Sequence, residues 1–389
     1  MNQSLIEALR SEPAGSEIER LVAGGLSDRD LLGVITDLRS RYDPSLASAI
    51  AETAMLRIRA RSKFPNADLM LFDRAGLEQA TAQLIAFHRL VRLGRGDQDR
   101  IVDLGCGLGG DALAFTRLAP TVGVDSDPDR LRLAMHNCSV AGGPHPFYPL
   151  LGDAMTVAPF HASVVFADPA RRTGGRRLRG LDSYLPPVGA LIDRWSRFAE
   201  IMAIKVAPGV EDDEIPSGAA VEWVSLDGQL REAVIWLGGG DDPGVRRATA
   251  LPSGATVTGP EPDDIPVTPI GRYIHEPDDA VVRAGLVRCL AAEIEATMID
   301  RDIAYLTSDA PADGPLVTSY RVDEVMGFNL KRLRPRLAEL DVGMVTIKKR
   351  GSPITPEELR PRLRLRGSRS ATLILTRTPD GPLVAIGLD

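Results

Sequence analysis

Several things are scarce or missing in this chain of 389 residues. There are only three cysteines, Cys106, Cys138 and Cys289, widely separated and without a C-x-x-C pair. That argues against a disulfide framework and against a zinc site. No apolar run reaches the roughly 20 residues that a membrane-spanning helix needs. The opening stretch MNQSLIEALRSE is polar and acidic and has no signal-peptide core. A cytoplasmic protein with no membrane partner is therefore expected. A basic excess is also missing. The formal net charge is −7, so the molecule as a whole is not a polyanion binder, and any nucleic-acid surface has to be local. Internal repeats and low-complexity tracts are absent, which argues against a solenoid.

What is present fits two or three folded domains. Hydrophobic residues make up 44% of the chain, enough for a buried core. Residues 1–95 read as a helical region. SLIEALR, DRDLLGVITDLRSRY and PSLASAIAETAMLRIRA carry apolar residues three and four apart, and LEQATAQLIAFHRLVRL (77–93) predicts one longer amphipathic helix. Residues 96–262 change to short apolar runs alternating with helices. RIVDL, TVGVD, FYPLLGD, ASVVFADP and IMAIKVAP read as strands. DALAFTRLA, DRLRLAMHNCSVAG and VGALIDRWSRFA read as the helices between them. That rhythm predicts an α/β domain with a Rossmann-like parallel sheet, closed by an antiparallel pair, AVEWVSLDG and REAVIWLGGG. The segment GPEPDDIPVTP (259–269) marks a boundary. Residues 263–389 then read as a small α+β domain with helices over 278–299 and 322–340 and a hairpin turning at PDG.

The chemistry starts at IVDLGCGLGGDALAF (101–115), which holds G-x-G-x-x-G as Gly105, Gly107 and Gly110. Such a turn at a helix N-terminus commonly cradles a dinucleotide pyrophosphate. Here Asp111 begins the helix, where it would face the phosphates. Like charges about 4 Å apart repel by roughly 4 kcal/mol at an intermediate dielectric. S-adenosylmethionine avoids this conflict, because it carries a sulfonium and an ammonium and no phosphate. Asp125 ends the second strand, twenty positions after Gly105, and a carboxylate there can accept both ribose hydroxyls of either cofactor. Asp153, in LLGDAM, ends the third strand and could accept from an adenine amino group. Asp168 and Pro169, in VVFADPARR, end the fourth and face the crevice where the strand order reverses.

These residues resemble a class I S-adenosylmethionine-dependent methyltransferase. VDLGCGLGGD, GVDSDP, GDAM and ADPARR match its successive motifs over roughly residues 100–210. The core is similar to trimethylguanosine synthase-type enzymes, in which a segment placed like SKFPNADLMLFDRAGLEQAT (62–81) closes over the methyl donor. The whole chain is similar to bacterial methyltransferase-like proteins with a C-terminal THUMP-like domain. The resemblance implies a seven-stranded sheet. It also implies that Asp103, Gly105 and Gly107 contact the methionine end, that Asp125 holds the ribose, and that Asp153 and Ala154 border the adenine. Asp168 and Pro169 would lie beside the transferring methyl. One departure concerns the fourth motif, where cap-hypermethylating enzymes have proline-proline-aromatic. This chain has Asp168-Pro169-Ala170-Arg171-Arg172. The ring that stacks on the base is absent, which argues against a cap substrate, and an arginine plane could stack or grip phosphate instead. A cysteine nucleophile of the kind used for pyrimidine carbon methylation is missing from IKVAPGVED.

The expected chemistry is in-line methyl transfer, with the protein mainly positioning donor and acceptor. Asp168 is the candidate to accept a hydrogen bond from an attacking amine. Lys205, in the same crevice row, is a candidate contact for a substrate phosphate or carboxylate. Two basic stretches offer RNA a surface. ARRTGGRRLRG (170–180) holds five arginines and no acid, and residues 331–370 hold twelve Lys/Arg against four Asp/Glu. Three readings follow. The chain could methylate an exocyclic amine of an RNA base, guanine N2 being favoured. It could methylate a small molecule, or it could bind S-adenosylmethionine without turnover.

Overall fold

A computed structural model describes residues 3–94, 98–173, 176–177, 180–239, 243–262 and 264–388, with residues 172, 173, 176 and 177 described by backbone alone. The chain forms two compact units. One comprises Met1–Ala220 and Glu232–Gly244, the other Val221–Arg231 and Val245–Asp389. These units do not follow boundaries at 95 and 262.

In the first unit the N-terminal helices are α1 (Gln3–Arg10), α2 (Ala14–Ala23), α3 (Leu31–Leu38), α4 (Pro44–Ala60), α5 (Arg74–Gln79) and α6 (Gln83–Leu93). Each of the first four turns an apolar stripe inward, and Ile18, Leu38 and Ile50 are fully buried. Pro44 occupies the first turn of α4, and the Asp43 carboxylate accepts from Ser45 N at 2.8 Å, a favourable start for a helix. These helices are not a separate domain. Their core is continuous with Leu108, Leu113, Leu133 and Cys138 of the following α/β region.

The parallel strands are β1 (Ile101–Leu104), β2 (Thr121–Asp125), β3 (Phe147–Leu151), β4 (Ala162–Ala167) and the strand Ala199–Val206. Between them run α7 (Ala112–Phe115), α8 (Pro128–Ala141) and α9 (Val188–Trp195). The order is β3-β2-β1-β4, then Ala199–Val206, then Gln229–Gly238, which pairs antiparallel with its neighbour. Every residue of β1 and β4 is buried, as expected of strands covered on both faces. The order reverses between β1 and β4, so their carboxyl ends open the crevice. By contacts, the strand Ala220–Leu226 groups almost wholly with the second unit.

The expected helix over 77–93 is broken. Ala80 and Ala82 take extended backbone, with ψ 136° at both. The freed carbonyls at the end of α5 are satisfied by one ammonium: Lys63 Nζ donates to Leu77 O, Glu78 O and Ala80 O at 2.7, 3.1 and 2.8 Å. The break leaves Thr81 between two helices rather than inside one.

In the second unit, Arg246–Leu251 pairs parallel with Val221–Leu226 and antiparallel with Ala255–Thr258. Two four-stranded sheets follow, one centred on Tyr273–Pro277 and the other on the hairpin Arg369–Thr378 and Gly381–Leu388. The hairpin turns at PDG as expected. The helix expected over 278–299 is two helices, Asp279–Ala284 and Val287–Glu293, because Gly285 ends the first in left-handed backbone at φ +70°. The helix expected from 322 starts only at Leu330, after a strand at Glu324–Gly327. Among the described residues no helix is long and apolar enough to cross a membrane.

Candidate functional site

After Leu104 the chain leaves β1 through a tight loop. Gly105, Gly107 and Gly109 have φ of +81°, +53° and +80°. A Cβ at Gly105 would stand 3.3 Å from the backbone oxygen of Asp168, and one at Gly109 would stand 3.3 Å from Ala134 Cα on α8. Glycine is thus required where the ends of β1 and β4 meet and where the loop seats on α8. Gly110, the third glycine of the sequence pattern, has no positive φ, and an added Cβ would make only ordinary contacts. The conformational demand falls on Gly109 instead.

Asp125 is 6% exposed. Its Oδ2 accepts from Gly107 N and its Oδ1 from Asp127 N, both at 2.9 Å. The carboxylate is therefore fixed at the loop with a lone pair still free on each oxygen. Asp153 is exposed and accepts from Met155 N at 2.7 Å, and the Ala154 carbonyl is held by Trp195 Nε1 at 2.9 Å. Asp103, on β1, is buried, and its Oδ2 has no hydrogen-bond partner among the described residues. Burial foremost, with the charges of Asp111 and Asp168, pushes its carboxyl well above the usual carboxylate range.

Beside this loop runs a buried polar chain. Arg89, on the inner face of α6, donates to Glu232 Oε1 at 2.9 Å and Asp111 Oδ1 at 2.6 Å, and its guanidinium lies 4.7 Å from the centre of the Phe166 ring. Thr81 Oγ1 donates to Asp111 Oδ2 at 3.0 Å. Lys205 Nζ donates to Thr81 Oγ1 at 2.8 Å and Asp168 Oδ2 at 2.7 Å. Burial opposes the charge on Arg89 and Lys205, but the surrounding carboxylates outweigh it and both pKa values rise. Burial likewise raises Glu232 against the pull of Arg89. Four carboxyl groups, Asp103, Asp111, Asp168 and Glu232, thus face two cations. The region is short of positive charge.

The structure corrects two expectations. Asp111 does not face a ligand at the helix start, since Arg89 and Thr81 hold both its oxygens. Lys205 is 3% exposed and committed to Thr81 and Asp168, so it is not a free contact for substrate phosphate. Asp168 has a quarter of its side chain exposed, and Pro169 behind it is buried. Arg171 is half-buried. The side chains of Arg172, Arg176 and Arg177, and all of Arg179, lie outside the described residues. Sequence reasoning missed Thr81, Arg89 and Glu232. The available signal was charge inside apolar patterning: Arg89 shares a face with Ile85, Ala86 and Leu93, and Glu232 precedes AVIW.

A Rossmann-like sheet with a glycine loop and strand-end carboxylates defines a class I methyltransferase fold. The family described as RNA cap guanine-N2 methyltransferase matches residues 98–176, and the family described as THUMP domain-like matches residues 317–387. Two S-adenosylmethionine-dependent methyltransferases, from two strains of Mycobacterium tuberculosis, are each 38% identical over 362 residues, covering 89% of this chain and 97% of theirs. The chain belongs to the S-adenosylmethionine-dependent methyltransferases. A crystal structure described as that of a methyltransferase, from Porphyromonas gingivalis W83, shares the fold at a TM-score of 0.77 and 20% identity, covering 93% of this chain and 98% of that one.

Proposed function

We propose that this enzyme methylates an exocyclic amine of an RNA base, guanine N2 being favoured, in the cytoplasm. The observation that carries the reading is Asp168, a carboxylate at the end of β4 beside the glycine loop, held on one oxygen by Lys205 and a quarter exposed to the crevice. S-adenosylmethionine, when bound, supplies a methyl carbon already activated by its sulfonium. Asp103 has an orphaned oxygen suited to the donor's ammonium, and Gly105 and Gly107 let the backbone approach without a Cβ. Asp125 offers free lone pairs to the ribose hydroxyls. Asp153 and Ala154 border the adenine. Asp168 accepts a hydrogen bond from the attacking amine, and Pro169 stiffens the turn that presents it. Arg171, with Arg172, contacts the RNA.

The match to a guanine-N2 family over 98–176 supports the amine acceptor. The basic segment of the second unit supports RNA. Arg336, Lys348 and Arg350 are paired with Glu324, Glu276 and Asp279. Lys331, Arg332, Arg364, Arg366 and Arg369 are exposed, and none forms an ion pair with a described residue; Arg362 is exposed too, with its charge acting on Glu358. Cations left unneutralised by the protein suit phosphates. The test is transfer of labelled methyl into RNA from a strain lacking the protein, followed by nucleoside mass analysis. Labelled N2-methylguanosine is expected. Label appearing only in a small-molecule fraction, or none at all, would overturn the reading.

A further inference from the structure

We propose that Lys205, anchored by Thr81, is a positioning residue that holds Asp168 turned toward the attacking amine. This rests on the role given to Asp168 above. The geometry is directional. The Thr81 hydroxyl has one proton, and Asp111, an acceptor, takes it at 3.0 Å. Thr81 must therefore accept from Lys205 at 2.8 Å. A second Lys205 proton goes to Asp168 Oδ2 at 2.7 Å, while Asp168 Oδ1 has no hydrogen bond to a described residue. One end of the ion pair is dry and the other open: the side chains of Lys205 and Asp168 are 4% and 25% exposed. One carboxylate oxygen is thus anchored and the other presented.

The anchor comes from far away in sequence. Thr81 reaches the site because the backbone is extended between α5 and α6, and Lys63 satisfies the carbonyls that this break exposes. The N-terminal lead-in is thereby part of the catalytic arrangement, not merely a cover over it. Besides Lys205, the charged groups around Asp168 are Arg89 on α6, Asp103 on β1, Asp111 in the glycine loop and Glu232 on Gln229–Gly238. Removing Lys205 leaves Asp168 facing three carboxyl groups and a single guanidinium already shared by two of them.

The experiment is the rate of single-turnover methyl transfer into RNA from a strain lacking the protein, with binding of S-adenosylmethionine measured alongside. Lys205→Met is expected to slow transfer by about tenfold or more. Lys205→Arg, which keeps the donor to Asp168, should restore most of the rate. Thr81→Val should slow transfer by less, and it keeps the test available if Lys205→Met does not fold. Donor affinity and the salt slope of RNA binding should stay at wild-type values, since Lys205 is buried and committed to Thr81 and Asp168. A loss that Lys205→Arg does not rescue, or one matched by an equal loss of donor affinity, in a background where Asp168→Ala is inactive, would overturn the role of Lys205 alone. Full turnover in Asp168→Ala would instead remove the reading of Asp168 itself. A shallower RNA salt slope in Lys205→Met would make this lysine a phosphate contact and overturn the proposal.

Discussion

At the scale of single residues, Asp103 shows how the site is tuned. Its folded-state carboxyl holds a proton more tightly than in the unfolded chain, through burial and the neighbouring Asp111 and Asp168. Stability from this group is therefore fully present below the ordinary carboxylate range and is lost as pH rises through the elevated folded value. Asp103→Asn is expected to unfold at a higher temperature than wild type at neutral pH, by about 2 °C or more, with the gap closing in acid. Thermal melts across pH check this, and a gap independent of pH contradicts it. Glu17 works in the opposite sense. Hydrogen bonds from Arg20 and Arg41 hold its carboxylate down at about 2. Its contribution is present above the ordinary carboxylate range and fades as pH falls toward that value. Glu17→Gln should cost about 2 kcal/mol near neutrality, a cost that shrinks as pH falls through about 4 toward 2, measured by denaturant unfolding.

At the scale of elements, the site is made by two segments locked onto α8. One is the glycine loop, seated through Gly109. The other is the lead-in 67–83, pinned by Asn137, whose side chain accepts from Leu71 N at 2.8 Å and donates to Leu71 O and Leu108 O, both at 3.0 Å. Asn137→Ala would leave three backbone groups in the dry core without partners. A loss of about 2 kcal/mol or more is expected, with faster amide exchange confined to residues 67–83 and the glycine loop. Unchanged protection in those segments would contradict the picture. The strands and their closing carboxylates were legible in the sequence, because runs such as IVDL and ASVVFA end on a turn and an acid. The break at Thr81 was not. Ala80, Thr81 and Ala82 continue the periodic pattern, and what stops the helix is a remote ammonium and a remote carboxylate. Arg89 and Glu232 were hidden for a related reason, since a pattern scores them as polar exceptions on an apolar face. Only the fold shows that the exceptions pair.

At the scale of the whole molecule, a net charge of −7 coexists with a basic segment in the second unit. Sequence exposed that segregation, because the arginines cluster in KRLRPR and LRPRLRLRGSR. Which of them the protein neutralises for itself needed tertiary structure. Reversing Arg362, Arg364 and Arg366 to glutamate is expected to weaken RNA binding by an order of magnitude or more and to flatten its salt dependence, with S-adenosylmethionine affinity unchanged. An unaltered RNA salt slope would move the RNA surface elsewhere. The proposed function requires that the glycine loop take a cationic, phosphate-free adenosine donor. Calorimetric titration of S-adenosylmethionine and of a nicotinamide dinucleotide into wild type and Asp125→Ala tests it most directly. The expected result is binding of S-adenosylmethionine alone, weakened by about tenfold or more in Asp125→Ala through loss of the ribose hydrogen bonds. Binding of the dinucleotide with S-adenosylmethionine excluded, or equal donor affinity in the two proteins, would contradict it.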